Sequence, residues 1–333
     1  MAKFDLIAVG AAGIDIFLDI RGKTNSLKFN KSSSELSIKL GDKILLDGYK
    51  FSCGQNGANV AVGSSRLGLK TALFAEVGDD DFAKRIIENL EKENVSTSKI
   101  KIEKGDSAFS VVVNFQNERT IFVENIKRNH NFDFKNVSAD FLYLTSLSQN
   151  WINAYLETMS FIGSNNIPFA FNPGTTQIED KDKVIFEIIK KSKILFLNKE
   201  EAETLLGKKR SFTQLSEKSY IKNLLTEFKK IGASIVVITD AQNGSYCADE
   251  KGRFLHIHGY APNILEKTGA GDAYATGFVF GFLKGMDTPT AMTYGAINAA
   301  AVMEQIGGEE GLVTSVILKE RAQRLENLKP ILF

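Results

Sequence analysis

Residues 266–285 place a lone carboxylate directly after a stretch of bare backbone. Gly269, Ala270 and Gly271 lead into Asp272, and a helical segment follows. Small residues let a ligand approach the backbone, and the first amides of a helix have no partner inside it, so the turn suits an anion. Because like charges repel, an acid beside a phosphate needs a reason. An aspartate is useful there if it removes a proton from a hydroxyl that then attacks phosphorus.

A purely structural interpretation of this turn stays open, because aspartate is a favoured helix N-cap and glycine-rich loops often precede helices. A second glycine-rich turn, within residues 53–78, also runs into a helical segment. There Gln55, Asn56 and Asn59 carry amide groups that both donate and accept hydrogen bonds, which suits a polyhydroxylated ligand. Two such turns in one chain favour a small-molecule site.

The elements that must position these turns alternate along the chain. Apolar runs predict strands at residues 4–10, 70–78, 139–147, 167–174, 193–198 and 234–240, and amphipathic runs predict helices at 57–68, 79–94, 180–192, 215–231 and 288–308. Such alternation indicates an α/β fold with a parallel sheet covered by helices on both faces. Since no internal repeat or low-complexity linker interrupts the chain, we predict a single domain over residues 1–333.

Three β-rich segments break the alternation, at residues 13–22, 35–52 and 107–125. The first two have no helical period, and the third consists of two runs joined by a polar turn, which is typical of a hairpin. Segments of this kind do not fit easily into a parallel sheet. We expect them to form a small separate sheet that acts as a lid.

Composition excludes several other classes of protein. The 333 residues are 43% hydrophobic and 24% charged, and the net charge of +1 gives no field for binding nucleic acid or a membrane surface. Two cysteines, Cys53 and Cys247, cannot build a disulfide framework, which suits a reducing compartment. Asp5 and Asp15 interrupt the apolar N-terminus, which therefore indicates a first strand rather than a signal peptide. We expect a soluble cytoplasmic protein.

Gly10 and Gly13 follow the first strand, but their spacing is wrong for a dinucleotide-binding fingerprint and no helical pattern follows. Asp15, just beyond them, lies where open α/β sheets bind ligands, although a turn aspartate that caps its own backbone is the simpler alternative. His130, His256 and His258 have no company of metal ligands and are interpreted as structural.

Both glycine-rich turns resemble signatures of the ribokinase-like (PfkB) carbohydrate and nucleoside kinases. The first signature is matched by Gly54, Gly57, Ala58, Asn59, Ala61, Arg66, Leu67, Gly68 and Gly78, and the second by Thr268, Gly269, Ala270, Gly271, Asp272 and Ala273. Between and after them, other family features are matched in order by Asn198, Glu201, Thr239, Asp240, Gly244 and Asn298. The resemblance covers nearly the whole chain.

The resemblance implies a three-layer sandwich with a mostly parallel central sheet and a small β-sheet lid. It also implies an ATP-dependent kinase that transfers the γ-phosphoryl group to a hydroxyl of a small sugar, with Asp272 as base and the amides of Gly269, Ala270 and Gly271 as anion hole. Substrate-binding residues would be Asp15, Gly54, Gln55, Asn56 and Asn59, and nucleotide-binding residues would be Asn198, Thr239, Asp240, Gly244 and Asn298. Glu201 would organise Mg²⁺ through water, and two lids would pair in a homodimer.

The chain departs from the family pattern at three positions. Gln55 replaces a usual glycine, which narrows the acceptor pocket, and Glu266 stands for an aspartate that binds a monovalent cation in some members, so K⁺ dependence is open. Lys267 places a cation where a neutral residue is usual, either reaching the transferring phosphate or pointing to solvent.

A nucleoside kinase and a non-catalytic sugar- or nucleotide-binding protein of the same fold remain alternatives.

Overall fold

The computed structural model describes residues 2–20, 26–30, 32–33, 35–115, 118–124, 126–210 and 215–333. The strands are β1 (Ala2–Val9), β2 (Gly13–Asp19), β3 (Leu27–Asn30), β4 (Glu35–Ile38), β5 (Gly48–Gly54), β6 (Thr71–Val77), β7 (Val95–Ser96), β8 (Ile100–Ile102), β9 (Ala108–Phe115), β10 (Glu118–Val123), β11 (Val137–Thr145), β12 (Phe169–Asn172), β13 (Ile194–Asn198), β14 (Ile235–Thr239), β15 (Ser245–Ala248), β16 (Phe254–Ile257) and β17 (Ile331–Leu332). The helices are α1 (Asn56–Arg66), α2 (Asp81–Lys92), α3 (Ile152–Asn165), α4 (Thr175–Asp180), α5 (Lys183–Lys191), α6 (Lys199–Leu206), α7 (Glu217–Ile231), α8 (Ala270–Leu283), α9 (Thr288–Met303) and α10 (Ser315–Arg324).

A large sheet runs through the molecule in the order β17-β16-β15-β14-β13-β12-β11-β1-β6-β7, with β8 also paired to β6. Its pairs from β14 to β7 are parallel, which confirms the mostly parallel sheet predicted from the alternating pattern. Beyond β14 the sheet continues through three antiparallel pairs, an edge that the alternating pattern does not predict.

Helices cover both faces of this sheet, and β1 shows how the residues divide between them. Leu6 and Ala8 belong to the core that contains residues of α1, α2, α8, α9 and α10. Ile7 and Val9 belong to the other core, which contains residues of α3, α4, α5, α6 and α7. Because side chains alternate along a strand, a continuous apolar run is what two covered faces require. None of the described helices is long and apolar enough to cross a membrane.

A separate four-stranded sheet has the order β10-β9-β2-β5, which confirms the small sheet expected beside the main one. The prediction for residues 35–52 is wrong in part, because β4 pairs with β3 as an isolated hairpin and only β5 joins the small sheet. A short connection lets β4 pair with the strand before it instead. Residues 21, 22, 116, 117 and 125 of the predicted lid lie outside the described part of the chain.

Candidate active site

The two glycine-rich turns meet through side-chain hydrogen bonds. Asn59, in the first turn of α1, donates from Nδ2 to Oδ2 of Asp272 over 2.8 Å. Asn56, the first residue of α1, donates to Oδ1 of the same carboxylate over 3.4 Å. Asp272 itself lies in the first turn of α8. The structure therefore brings the predicted acid and two of the predicted amide side chains together, although they are more than 200 residues apart in sequence.

The turn before Asp272 requires glycine at one position and leaves another open. Gly269 has a φ of 78°, and a Cβ there would lie 2.6 Å from Cα of Gly308. Gly271 has open space where a Cβ would stand, and it faces the cavity described below. The amide of Ala270 donates to the carbonyl oxygen of Lys267 over 3.3 Å. These residues begin α8, whose amino end carries a partial positive charge.

Burial governs the protonation of Asp272, whose surface is only 7% exposed. The pKa of Asp272 is raised to about 7, mainly by desolvation. The hydrogen bonds from Asn59 and Asn56 oppose this rise, and the charges of Asp15 and Glu201 contribute to it. A carboxyl group with a pKa near neutrality accepts a proton more readily than an ordinary aspartate, so it is suited to act as a general base.

Asp15, in β2, is the second buried carboxylate of the site. Ser110 of β9 donates from Oγ to its Oδ1 over 2.6 Å, and the main-chain amide of Gln55 also donates to it. Burial raises the pKa of Asp15 to about 6, and the charges of Glu266 and Glu310 add to that effect. A buried carboxylate with an acceptor oxygen to spare can bind ligand hydroxyl groups.

Gly54 and Gln55 join β5 to α1 at the centre of the site. A Cβ on Gly54 would lie 2.7 Å from Oδ2 of Asp15, so the close approach of this carboxylate requires glycine. Gln55 has φ 71° and ψ 160°, a region that residues with a side chain rarely adopt, at a cost of about 1–3 kcal/mol. Its side-chain amide lies against Gly13, where a Cβ would come within 2.6 Å of Nε2. Strain of this kind persists where packing holds it.

Asn198 and Glu201 lie at the carboxyl end of β13 and begin α6. Asn198 accepts from the amide of Glu201 over 2.8 Å, and Glu201 accepts from the amide of Asn198 over 2.8 Å, which forms a capping box. Burial raises the pKa of Glu201 to about 7. Thr239 ends the adjacent strand β14, and all three residues line the same cavity as Asp272.

The remaining predicted nucleotide residues do not line this cavity. Asn298 is fully buried, donates from Nδ2 to the carbonyl oxygen of Ala273 over 2.8 Å, and accepts from the amide of Val313 over 3.3 Å. It therefore joins α8 and α9 to the loop that follows them. Asp240 and Gly244 form the turn between β14 and β15, where the amide of Asp240 donates to the carbonyl oxygen of Gly244 over 2.8 Å. Their role in binding a nucleotide stays a prediction.

A cavity of about 840 Å³ connects these groups along the carboxyl ends of the parallel strands. The predicted residues that line it are Asp15, Gln55, Asn56, Asn59, Asn198, Glu201, Thr239, Gly269, Gly271 and Asp272. Gly54 and Ala270 lie behind this lining. The volume and position suit one or two small ligands, as expected for the carboxyl edge of an open α/β sheet.

Sequence reasoning missed several polar residues of the cavity wall. They are Glu76, Ser110, Glu124, Arg128 and Ser148, and His130, interpreted from sequence as structural, joins them. No spacing rule marks these residues, because they come from β6, β9 and the irregular segments around β11. The alternation of Arg128 and His130 on an extended segment is the one signal that could have grouped two of them.

The small sheet reaches the turn before α8 through one ion pair. Nε of Arg119, in β10, lies 3.5 Å from Oε1 of Glu266. Glu266 is 4% exposed, and it accepts hydrogen bonds from the amide of Thr268 over 2.7 Å and from the Thr268 hydroxyl over 2.8 Å. Arg119 therefore lines the cavity and contacts the turn that carries Asp272.

Comparison with known families decides what kind of protein has this site. The family model described as pfkB family carbohydrate kinase matches residues 22–314, which is most of the chain. The chain belongs to the pfkB family of carbohydrate kinases. It is a phosphotransferase that acts on a hydroxyl group, as the two glycine-rich signatures predict.

Curated relatives of this carbohydrate kinase match it over nearly their full length. A 5-dehydro-2-deoxygluconokinase of Bacillus velezensis is 22% identical over 334 residues, covering 93% of this chain and 92% of the relative. A 5-dehydro-2-deoxygluconokinase of Clostridium perfringens is 25% identical over 336 residues, covering 96% of this chain and 92% of the relative.

Two solved structures show that this pfkB kinase shares the ribokinase fold. The Arabidopsis thaliana ribokinase complexed with ribose and ATP aligns with a TM-score of 0.75 and 18% identity, over 96% of this chain and 98% of that chain. The Burkholderia thailandensis nucleoside kinase in complex with inosine aligns with a TM-score of 0.73 and 16% identity, over 99% of this chain and 100% of that chain. Both likenesses concern the fold alone, so the acceptor must be argued from the site.

Of the two cations predicted from the sequence, Mg²⁺ and K⁺, the residues of this kinase fit Mg²⁺ better. Mg²⁺ keeps several waters and commonly takes one or two carboxylates plus substrate phosphates. The buried carboxylate of Glu201, which lines the cavity, suits this kind of coordination. Within the described ranges no cluster of three metal-ligating side chains forms. Glu266 fits a monovalent cation less well, because both its oxygens already accept hydrogen bonds from Thr268 and the Arg119 guanidinium lies beside it.

Proposed function

We propose that this carbohydrate kinase transfers the γ-phosphoryl group of ATP to a hydroxyl of a small sugar, with Asp272 as the general base. One observation carries the proposal: Asp272 lies at the amino end of α8, in the cavity, held by Asn59 and Asn56 and with a pKa raised by burial to about 7. A base must reach its substrate and must have a suitable pKa, and the cavity position and raised pKa of Asp272 support this role.

The acceptor sugar would bind where the side chains of the first glycine-rich turn meet β2. Asp15 would accept hydrogen bonds from hydroxyl groups of the sugar. Oδ1 of Asn59 is buried without a hydrogen-bond partner in the protein, so it can accept a further hydrogen bond. Asp272 takes the proton from the hydroxyl that is to be phosphorylated. The hydroxyl oxygen then attacks the γ-phosphorus in line, and ADP leaves toward Asn198 and Thr239.

Charge on the transferring phosphoryl group would be stabilised by the start of α8. The amides of Gly269 and Gly271 lie at its positive end, and the open space beside Gly271 lets the phosphoryl oxygens approach the backbone. Lys267 lines the cavity next to this turn and adds a positive charge. Mg²⁺, when bound near Glu201, would neutralise the charge that develops on the β- and γ-phosphates.

The relatives and the cavity lining both support a sugar over a nucleoside as the acceptor. The curated relatives are named for 5-dehydro-2-deoxygluconate, which makes this sugar acid the first acceptor to test. A nucleoside base would need an aromatic clamp, and among the described lining residues only Phe196 contributes a phenyl or indole ring. Phe196 lies in β13, on the side of the cavity assigned to ATP.

The test is acceptor-dependent release of ADP from Mg·ATP across 5-dehydro-2-deoxygluconate, 2-keto-3-deoxygluconate, ribose, fructose, adenosine and inosine, with Asp272→Asn beside the wild type. We expect release with a sugar, reduced by about 10²–10⁴-fold in the variant. Release with adenosine or inosine alone would favour a nucleoside kinase. Ligand binding without any release would indicate a non-catalytic binding protein, and equal release by both proteins would show that Asp272 is not the base.

The exposed edges of the small sheet support a homodimer, and the free thiols of the chain support a cytoplasmic location. Its two edge strands, β5 and β10, expose large apolar side chains, with Tyr49 71%, Phe122 56% and Val123 68% exposed. Open apolar edges favour pairing with another chain, and a second copy brings a matching surface. The thiols of Cys53 and Cys247 are free, as in a reducing compartment. Sedimentation of the wild type and Phe122→Lys tests the dimer, which the charged side chain should dissociate.

A further inference from the structure

A second polar cluster lies in the cavity wall and has no part in the chemistry described above. It consists of Glu76 at the end of β6, Arg128 and His130 on the segment that follows β10, and Ser148 just after β11. Glu76 is 4% exposed and His130 is 6% exposed. Polar groups buried to this degree at a cavity wall are costly unless they are satisfied, so their arrangement indicates a ligand or a structural need.

Three of these residues form a relay that ends in the cavity, through one ion-pair contact and one hydrogen bond. Oε2 of Glu76 lies 2.7 Å from Nδ1 of His130, and Nε2 of His130 lies 2.9 Å from Oγ of Ser148. The other oxygen of Glu76 accepts from the amide of Asn131 over 3.0 Å, which fixes the carboxylate. The relay therefore fixes the position of the Ser148 hydroxyl and decides whether this hydroxyl donates or accepts toward the cavity.

Arg128 converges on the same point. Its Nη1 donates to the carbonyl oxygen of Glu76 over 3.1 Å, and its Nη2 donates to the carbonyl oxygen of Asp106. Both acceptors are uncharged main-chain groups, so they hold the guanidinium in place without neutralising its charge. Glu124 is a carboxyl group near this charge: burial raises the pKa of Glu124, and the charge of Arg128 lowers it. One buried oxygen of Glu124 has no hydrogen-bond partner in the protein.

The order of the sheet places this cluster far from the proposed nucleotide end. Glu76 belongs to β6 and Thr239 to β14, which are five strand spacings apart in the large sheet, or about 24 Å. Asp15 lies on the side of the cluster, because its partner Ser110 directly follows Phe109, whose carbonyl oxygen accepts from the amide of Glu124 over 3.5 Å. A sugar gripped by Asp15 would therefore extend from Asp272 toward Arg128 and Ser148.

We propose that Arg128 and Ser148 form a subsite for a carboxylate at the end of the acceptor opposite the phosphorylated hydroxyl, with His130 and Glu76 as positioning residues. The substrate class is then a sugar acid, which rests on the proposed kinase function and adds the residues that select the acid. The guanidinium supplies charge and two-pronged donors. With both ring nitrogens protonated, His130 faces the Glu76 carboxylate through Nδ1 and donates from Nε2 to Oγ of Ser148. The hydroxyl hydrogen of Ser148 is then free to point outward as a third donor, and the anionic carboxylate favours that arrangement.

Equilibrium binding tests the subsite independently of catalysis. Gluconate and glucitol differ only in a carboxylate against a hydroxymethyl group, and calorimetric titration of the wild type should show that gluconate binds more tightly. A charge-assisted hydrogen bond accounts for a preference of about 10- to 100-fold, and Arg128→Gln should abolish it. The surface variant Arg324→Gln, on α10, is the matched control and should keep it.

Steady-state kinetics with acid and neutral acceptors distinguish a role in positioning the carboxylate from a general effect on folding. Arg128→Gln and Ser148→Ala should raise KM for 5-dehydro-2-deoxygluconate about 10-fold or more beyond any change in KM for ribose, a neutral sugar, and Ser148→Thr should restore KM for the acid. His130→Gln should act in the same selective way. Glu124→Gln removes a competing carboxylate and should lower KM for the acid. Equal losses with acid and neutral acceptors would show a scaffold role and overturn the subsite.

The two proposals fail in different ways. Wild type that binds gluconate no better than glucitol overturns the carboxylate subsite, even if neutral sugars are phosphorylated. Wild type that prefers gluconate in binding but releases no ADP with any acceptor supports the subsite and contradicts the kinase assignment of Asp272.

Discussion

Replacing Asp272 by asparagine should stabilise the protein more at pH 8 than at pH 5. Burial raises the pKa of Asp272 from 3.8 to about 7, so the folded protein holds a proton that the unfolded chain releases between these two values. Stability therefore falls as pH rises from about 4 to about 7, and the full cost is present above pH 7. Each pKa unit is worth about 1.4 kcal/mol, which gives a cost of about 4 kcal/mol at pH 8.

At pH 5 the same group costs less than about 2 kcal/mol, because its ionisation has hardly begun in the folded state. The neutral variant escapes this cost at both pH values but loses part of the hydrogen bonding to Asn59 and Asn56, an offset that does not change with pH. The difference in unfolding free energy between variant and wild type should therefore grow by about 2 kcal/mol from pH 5 to pH 8.

Urea denaturation at the two pH values measures this difference. Asp287→Asn is the matched control, because Asp287 caps α9 away from the cavity and a hydrogen bond from Thr290 lowers its pKa. Both pH values lie above its ordinary pKa, so its effect on stability should be the same at each. If Asp272→Asn shows no more pH dependence than Asp287→Asn, Asp272 is an ordinary ionised cap and the argument for a buried base fails.

Four further variants test the turns around Asp272. Gly269→Ala should lower the unfolding free energy by roughly 2 kcal/mol in urea denaturation, because alanine is strained at φ 78° and its Cβ meets Gly308. Gly271→Ala should fold normally and lower kcat about tenfold or more, because its methyl group enters the cavity. Gln55→Gly should raise the unfolding free energy by about 1 kcal/mol through relief of strain and should raise KM for the sugar. Lys267→Thr should raise KM for ATP and lower kcat several-fold; unchanged values for both would place Lys267 outside the phosphate site.

Asn59 and Asp272 could be assigned to one site from the sequence, because each lies in a turn with a recognisable pattern of small residues. The hydrogen bond between them was not predicted. The sequence did not allow the contact between Glu76 and His130 to be predicted, since nothing in the spacing of two buried polar residues says which partner each one finds. Asn298 illustrates the same limit: the pattern places it on a helix, while the structure shows that its amide donates to the carbonyl oxygen of Ala273. Periodicity predicts the face of an element, but polar partners depend on tertiary packing.

The loop after α9 explains how distant parts of the chain act on one carboxylate. Gly308 packs against Gly269, and a Cβ on Gly308 would also lie 2.9 Å from Nδ2 of Asn59, the donor to the proposed base. Two residues further along, Glu310 pairs with Lys50 of β5 over 2.9 Å. A movement of the small sheet that breaks this pair removes support from the loop on which both glycine-rich turns rest. Because close-packed contacts transmit displacement, we expect the position of the small sheet to affect the geometry of the proposed base.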